Sequence, residues 1–370
     1  MGGAPGTGGS ARPFRVLALD GGGIRGYYTA RLLELLLAAA GGDPVRDDCG
    51  AAFDLVVGTS TGSLIGAALA AGVPLTRIST LYRDHGAAIF PRPAPIGRWS
   101  LLWCARHWRR ASADANALRR ELDGLFGKAT LRELHARRGI ALCVTATDLR
   151  TARPRVFATP HAETHRGSAD LPLVDACIAS CSAPMLLPPM RLPLVGDEGA
   201  LWCDGGLWAT SPVEVALAEA FAMAPDDRPI EMLSVGTCAM PVPAAVIARL
   251  PGTGIGLWIR GLRALQVTGD AQAAAAVEAV RRLVPQLRRP VRFVRLRDPE
   301  PTDAEASIVR LDHSTPAAFE VMERLARRGA EINGAPGDFT GADRSWLSAL
   351  LRPAAVERPV SVEDAAARGR

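Results

Sequence analysis

Apolar residues fall into two rhythms along the first part of the chain. Phe14 to Leu19 is a short apolar run that ends in Asp20 and three glycines, and Tyr27 to Ala40 follows with apolar positions at helical spacing before Gly41 and Gly42. This predicts strand, tight turn and helix. The order returns at once: Phe53 to Val57 is an apolar strand, Gly58 to Gly62 a turn, and Ser63 to Ala71 a helix of small residues closed by Gly72. Two such units in succession imply a parallel sheet. Further strands are predicted at Ile140 to Ala146, Arg155 to Ala158, Glu231 to Val235 and Val291 to Arg295, with helices between several of them. The fold class is α/β, a central and mostly parallel sheet flanked by helices.

The chemical motifs described below all lie between Asp20 and Pro212, so one main catalytic domain is expected at 14–220, with 221–351 as a C-terminal extension of helices and strands on the same sheet. Residues 1–13 are rich in Gly, Pro and Ser and read as a flexible leader, and 352–370 lack apolar periodicity and read as a loose tail. The chain is 48% hydrophobic but only 5% aromatic, which suits an ordinary globular protein. Its start carries no apolar run resembling a secretion signal, and no stretch approaches the ~18 apolar residues of a membrane span. Seven cysteines, an odd number without CxxC pairs or zinc-like histidine spacing, read as reduced core residues of a cytosolic protein. No metal or cofactor is expected. The net charge of +5 gives mild attraction to anionic surfaces without choosing among them.

Gly58-Thr59-Ser60-Thr61-Gly62 fits a GxSxG nucleophile elbow, in which a strained strand-to-helix turn exposes a serine hydroxyl. The following helix also aims its N-terminal dipole at Ser60, favouring an oxyanion there. Taken alone the motif also describes a loop serine capping a helix. At the end of the first strand, Asp20-Gly21-Gly22-Gly23-Ile24-Arg25-Gly26 offers glycines whose bare N–H groups suit an oxyanion hole, and Arg25 adds positive charge for a phosphate or acyl head. Gly21, Gly23 and Gly26 also satisfy GxGxxG, the dinucleotide fingerprint, but the second strand runs into Gly58 rather than an acidic ribose-binding residue. Asp204-Gly205-Gly206 follows Leu201-Trp202-Cys203 and reads as an Asp on a defined loop. After it, Ser211-Pro212-Val213-Glu214 suggests a capping box opening a helix at Ser211.

DGGGIRG, GTSTG and DGG in this order resemble the patatin-like phospholipase family, over about Phe14 to Ala220. The resemblance implies a patatin-like three-layer fold and a Ser-Asp dyad, with Ser60 as nucleophile and Asp204 as general base. It also implies oxyanion stabilisation by the amides of Gly21, Gly22 and Gly23 with Arg25. Ala179 to Pro184, continuing to Pro188-Pro189, is similar to the family segment that lines the site. The sequence departs from the family pattern at Ser63, where a glycine is usual, at Leu186 and Leu187, where aromatics are usual, and at Thr210-Ser211-Pro212. The implied activity is phospholipase A type hydrolysis of membrane phospholipid through an acyl-Ser60 intermediate. Two alternatives stand beside it: an α/β-hydrolase triad using His313, the one histidine after Asp204, and a non-catalytic lipid-binding scaffold.

Gly97 to Arg110 interleaves Trp99, Trp103 and Trp108 with Arg98, Arg106, Arg109 and Arg110. That suits a membrane-docking surface or lid, and equally core tryptophans beside solvated arginines; no nucleic-acid module accompanies it. Gly254 to Arg282 suggests helices, with Trp258 among Arg260 and Arg263. Together with Asp204 to Trp208 this is similar to bacterial patatin-like effectors switched on by a cyclic nucleotide messenger in antiphage defence. That resemblance implies a cyclic dinucleotide activator and a cytoplasmic protein that works at the inner membrane face.

Overall fold

A computed structural model of the chain describes residues 12–91, 93–94, 99–107, 111–194, 199–248, 262–334 and 341–351. Residues 1–11 of the expected leader and the expected tail at 352–370 lie outside these. Arg12, placed in that leader by its composition, forms an ion pair with Asp54 at 2.7 Å.

The strands are β1 (Phe14–Leu19), β2 (Leu55–Gly58), β3 (Ala141–Asp148), β4 (Arg153–Ala158), β5 (Trp202–Asp204), β6 (Ile230–Val235) and β7 (Val291–Arg295). They form one sheet in the order β4-β3-β2-β1-β6-β7, with β5 also paired to β3. β1, β2, β3, β6 and β7 run parallel, whereas β4 and β5 are antiparallel to β3. Alternate residues of each parallel strand feed opposite faces, as the two-residue strand period requires. Leu17, Leu19, Val56, Leu142 and Val144 join a core shared with α1 (Gly26–Ala39) and α2 (Thr61–Ala70). Val16, Ala18, Leu55, Val57, Ala141 and Cys143 join a second core, packed by the helices Val213–Met223 and Arg263–Leu283. Burial on both faces explains why these strands read as continuous apolar runs.

Two expectations change. Asp204 is not on a loop but ends β5, a three-residue strand too short to show a period. The helix expected at Ser211 follows a short helix Gly206–Ala209 and begins at Val213 with Pro212 at its N-cap and no capping side chain; Ser211 is buried, its Oγ has no hydrogen-bond partner among the described residues, and its N–H donates to Gln272 Oε1 at 3.1 Å. Packing against the Arg263–Leu283 helix has taken Ser211 away from the cap. No helix among the described residues is long and apolar enough to cross a membrane.

Candidate active site

Sheet register brings the site together. β2 pairs with β3 as far as Gly58 opposite Val144, and there it turns into α2. The edge of β3 it vacates is taken by β5, which sets Asp204 opposite Ala146. Ser60, two residues beyond the end of β2, therefore meets Asp204, at the end of β5. The Ser60 hydroxyl donates to Asp204 Oδ2 at 2.7 Å, and Gly206 N–H donates to Oδ1 at 2.6 Å.

The elbow is strained. Ser60 has φ 51° and ψ −123°, a conformation costly for a residue with a side chain. It is held by Ser180, whose Oγ accepts the Ser60 N–H at 2.8 Å, and by Thr59, whose Oγ1 donates to Ala209 O at 2.6 Å. Small residues are required around it: a Cβ on Gly62 would lie 2.2 Å from Leu19 O, and one on Gly58 2.4 Å from Gly62 O. A Cβ on Gly26 would meet Thr61 Oγ1, and one on Gly205 would meet Thr145 Oγ1, each at about 2 Å. Ser63, at the position where a glycine was expected, donates its hydroxyl to Ser60 O at 2.6 Å.

Burial raises the Asp204 carboxyl from 3.8 to about 6, against hydrogen bonds from Gly206 and Ser60 that lower it. A carboxylate with that affinity for a proton, bonded to a serine hydroxyl, can act as a base near neutral pH. Of the three loop glycines, Gly21 is committed elsewhere, because its N–H donates to Thr210 O at 2.8 Å. The expectation that its amide serves the oxyanion hole is therefore corrected. Gly22 and Gly23 both line the cavity beside Ser60, and their amides have no acceptor among the described residues.

Arg25 is buried, and its guanidinium takes both carboxylate oxygens of Asp270, at 2.8 and 3.3 Å. Its Nε also donates to Gly22 O at 3.4 Å. Asp20 is likewise buried and pairs with Arg295 at 2.6 Å. The two ion pairs fasten the glycine loop to the Arg263–Leu283 helix and to β7, so Arg25 acts as a clamp with its charge already matched rather than as a free phosphate ligand. Asp270 and Arg295 were not singled out in the sequence, since an acid and a base far from the motifs carry no local signal.

The cavity spans about 910 Å³ including its open mouth, and its walls are mainly apolar, among them Leu64, Leu81, Phe90, Leu118, Leu186 and Leu265. This shape suits a long acyl chain with its carboxyl end at Ser60.

A family model described as patatin-like phospholipase matches residues 17–217. The chain belongs to that family. It is similar to a cGAMP-activated phospholipase of Pseudomonas aeruginosa, 30% identical over 70% of this chain and 72% of that protein. A cGAMP-activated phospholipase of Vibrio cholerae is 27% identical over 88% of this chain and 91% of its own length. A cUMP-AMP-activated phospholipase of Escherichia coli is 32% identical over 62% and 66%. This patatin-like chain is accordingly a hydrolase acting on ester bonds.

The triad alternative is not assembled. His313 is half-buried, with Nδ1 at 2.9 Å from Ile308 O and Nε2 against the Arg310 guanidinium, while the Ser60 hydroxyl is turned to Asp204. The tryptophans divide. Trp99 is 58% exposed at the start of the helix Ser100–Arg106, whereas Trp103 is partly buried against Ala94, Ala183, Leu186 and Leu262. Trp108, Arg98, Arg109, Arg110, Trp258 and Arg260 lie outside the described residues. Six cysteines, at 49, 143, 177, 181, 203 and 238, are buried and free of disulfides.

Proposed function

We propose that this protein hydrolyses a carboxylic ester of membrane phospholipid, with Ser60 as nucleophile and Asp204 as its only catalytic partner. The observation that carries the reading is the 2.7 Å hydrogen bond from Ser60 Oγ to a buried carboxylate at the end of an apolar cavity. Asp204 takes the hydroxyl proton as Oγ attacks the ester carbonyl carbon. The resulting oxyanion is stabilised by the amides of Gly22 and Gly23 and by the positive end of α2. Collapse expels the lysolipid alkoxide, which receives the proton from Asp204 and leaves acyl-Ser60. Water then gives a proton to Asp204 as it attacks the acyl carbon, and collapse releases the fatty acid while Asp204 returns the proton to Ser60 Oγ.

We further propose that a cyclic dinucleotide raises this activity, as the names of the cGAMP-activated and cUMP-AMP-activated relatives suggest, and that the protein works in the cytoplasm in antiphage defence. The lipid is met at the membrane surface by the exposed Trp99, one turn of helix before Trp103, and by Leu102 next to it, with Trp103 packed on Ala183 and Leu186 at the cavity.

The test is fatty-acid release from phospholipid vesicles by wild type, Ser60→Ala and Asp204→Asn, with and without a panel of cyclic dinucleotides. Loss of about 10³-fold or more in both variants is expected. Equal rates in all three proteins would sink the dyad, and messenger-independent wild-type turnover would sink the gating.

A further inference from the structure

Away from the cavity, three side chains with metal-ligating atoms converge, and a fourth lies beside one of them. Cys143 lies on β3, His161 follows β4, His165 is in the short helical turn Glu163–Ser168, and Glu219 is on the Val213–Met223 helix. Cys143 Sγ is 4.0 Å from His161 Nε2, which is 3.2 Å from Glu219 Oε2. These three ligand atoms all lie within 4.8 Å of one another. His165 Nε2 is 3.0 Å from Glu219 Oε1 and 3.1 Å from Oε2. None of the four residues lines the cavity at Ser60.

We propose that Cys143, His161, His165 and Glu219 form a structural zinc site that ties β3, the segment after β4 and the Val213–Met223 helix together. Ligands around a tetrahedral zinc, with bonds of about 2.0–2.3 Å, stand roughly 3.4–3.6 Å apart. The separations of 4.0 and 3.2 Å differ from that by about half an ångström, and the three atoms together stay within 4.8 Å, so metal binding would draw Cys143 and Glu219 in by up to about 1 Å. The donor set of one thiolate, two imidazoles and one carboxylate is borderline-soft and matches zinc better than magnesium or calcium, which favour oxygen alone.

The surroundings fit a closed site. The His161 side chain is only 2% exposed, His165 11% and Glu219 16%. Cys143 is fully buried in the core that includes Val213, Ala216 and Ala220 of the same helix. His161 Nδ1 shares a hydrogen bond of 2.8 Å with Thr159 Oγ1, and Leu142 N–H donates to that hydroxyl at 3.0 Å. With Nδ1–H donating to Thr159, the ring presents the lone pair of Nε2 to Cys143 and Glu219, the outer-shell arrangement that orients a metal-binding histidine. Four protein ligands leave no open position, so the metal's role is to cross-link. The helix it holds follows directly on the 204–212 segment, which carries Asp204.

His161 and His165 are four residues apart, but Cys143 and Glu219 lie 18 and 58 residues from His161, so the sequence does not show the pair as part of a ligand set. The proposal stands apart from the Ser60 reading, because its readout is metal and not hydrolysis.

The experiment is elemental analysis of the purified full chain, then chelator stripping and titration with cobalt(II). One zinc per chain is expected, with a thiolate-to-cobalt charge-transfer band on refilling and a melting temperature that falls on stripping. Cys143→Ser should abolish the band. Glu219→Gln, which keeps the size of the side chain, should weaken zinc binding by more than about 100-fold, beyond the range of a lost outer-shell partner, with circular dichroism unchanged. Zinc below about a tenth of an equivalent, with melting indifferent to chelator, would overturn the site. So would cobalt uptake without a thiolate band, or with a band that survives Cys143→Ser. If that variant does not fold, the wild-type cobalt spectrum and Glu219→Gln decide the matter.

Discussion

Arg25 and Asp270, 245 residues apart in the chain, form a two-pronged ion pair that holds the glycine loop against the Arg263–Leu283 helix. The guanidinium is 2% exposed and the carboxylate 20%. Burial opposes the arginine's charge, but Asp270 more than restores it, so its pKa lies above the ordinary value. Asp270→Ala would leave a buried charge unmatched and is expected to cost about 3 kcal/mol of stability, the low end of the range because the carboxylate is partly exposed. Denaturant unfolding checks this. Since Arg25 also bonds Gly22 O, kcat should fall in the same variant at temperatures where it remains folded; a stability within 0.5 kcal/mol of wild type, roughly the scatter of surface substitutions, would refute the clamp.

Activity should depend on the ionisation of Asp204. Burial lifts its carboxyl to about 6, and only the carboxylate can accept the Ser60 proton. The rate kcat/KM on a soluble ester is expected to climb tenfold per pH below that value and to level above it. A profile flat from pH 4.5 to 8, about 1.5 below to 2 above the midpoint, would exclude Asp204 as the base.

The same shift affects stability in the opposite direction. A carboxyl raised in the folded state favours folding while protonated; the contribution is full below about 3.8 and is lost as pH rises through about 6. Asp204→Asn cannot ionise. It should therefore be more stable than wild type at pH 8, by up to about 3 kcal/mol, with the gap closing below pH 4. Thermal melts of both proteins across pH test it, and a variant less stable than wild type at pH 8 would contradict the stored cost.

Gly23 and Gly124 provide a matched pair. Gly23 has φ +58°, and a Cβ there would lie 2.3 Å from Leu311 O; Gly124 sits in the helix Ala115–Phe126 with open space at its Cβ position. Gly23→Ala should displace the loop amides and lower kcat by about 10²-fold or more. Gly124→Ala should leave activity unchanged and add about 0.5–1 kcal/mol of stability, as expected where alanine replaces glycine inside a helix. Measuring kcat and melting temperature on both variants separates crowding at the site from a general effect of the substitution.

Much of this was legible locally. The expectation of a strand from Phe14 to Leu19 matches β1, Val291 to Arg295 matches β7, and the strand at Phe53 agrees with β2 apart from its ends. The apolar runs of β1 and β2, buried on both faces, announce themselves, and β7 shows by its apolar residues interleaved with Arg292 and Arg295. β5 does not, being three residues defined by the edge of β3 that it fills and by the bridge from Trp202 to Met190. The capping box at Ser211 failed because a cap competes with tertiary packing, and Gln272 took the Ser211 amide. Arg25 was visible in its motif, but its role depends on Asp270.

By itself, then, the sequence determined the parallel sheet, the elbow at Ser60 and the glycine loop, because strand periods, tight turns and small-residue spacing are properties of neighbours along the chain; Asp204 became a candidate only through the family resemblance. Only the tertiary structure decided that Ser60 and Asp204 share a hydrogen bond, that Arg25 is a clamp, that Gly21 spends its amide on Thr210, and that Cys143, His161 and Glu219 face one another with His165 beside Glu219. Each of these depends on sheet register and helix packing that join residues from 18 to 245 positions apart, and no local pattern encodes which distant partner will arrive.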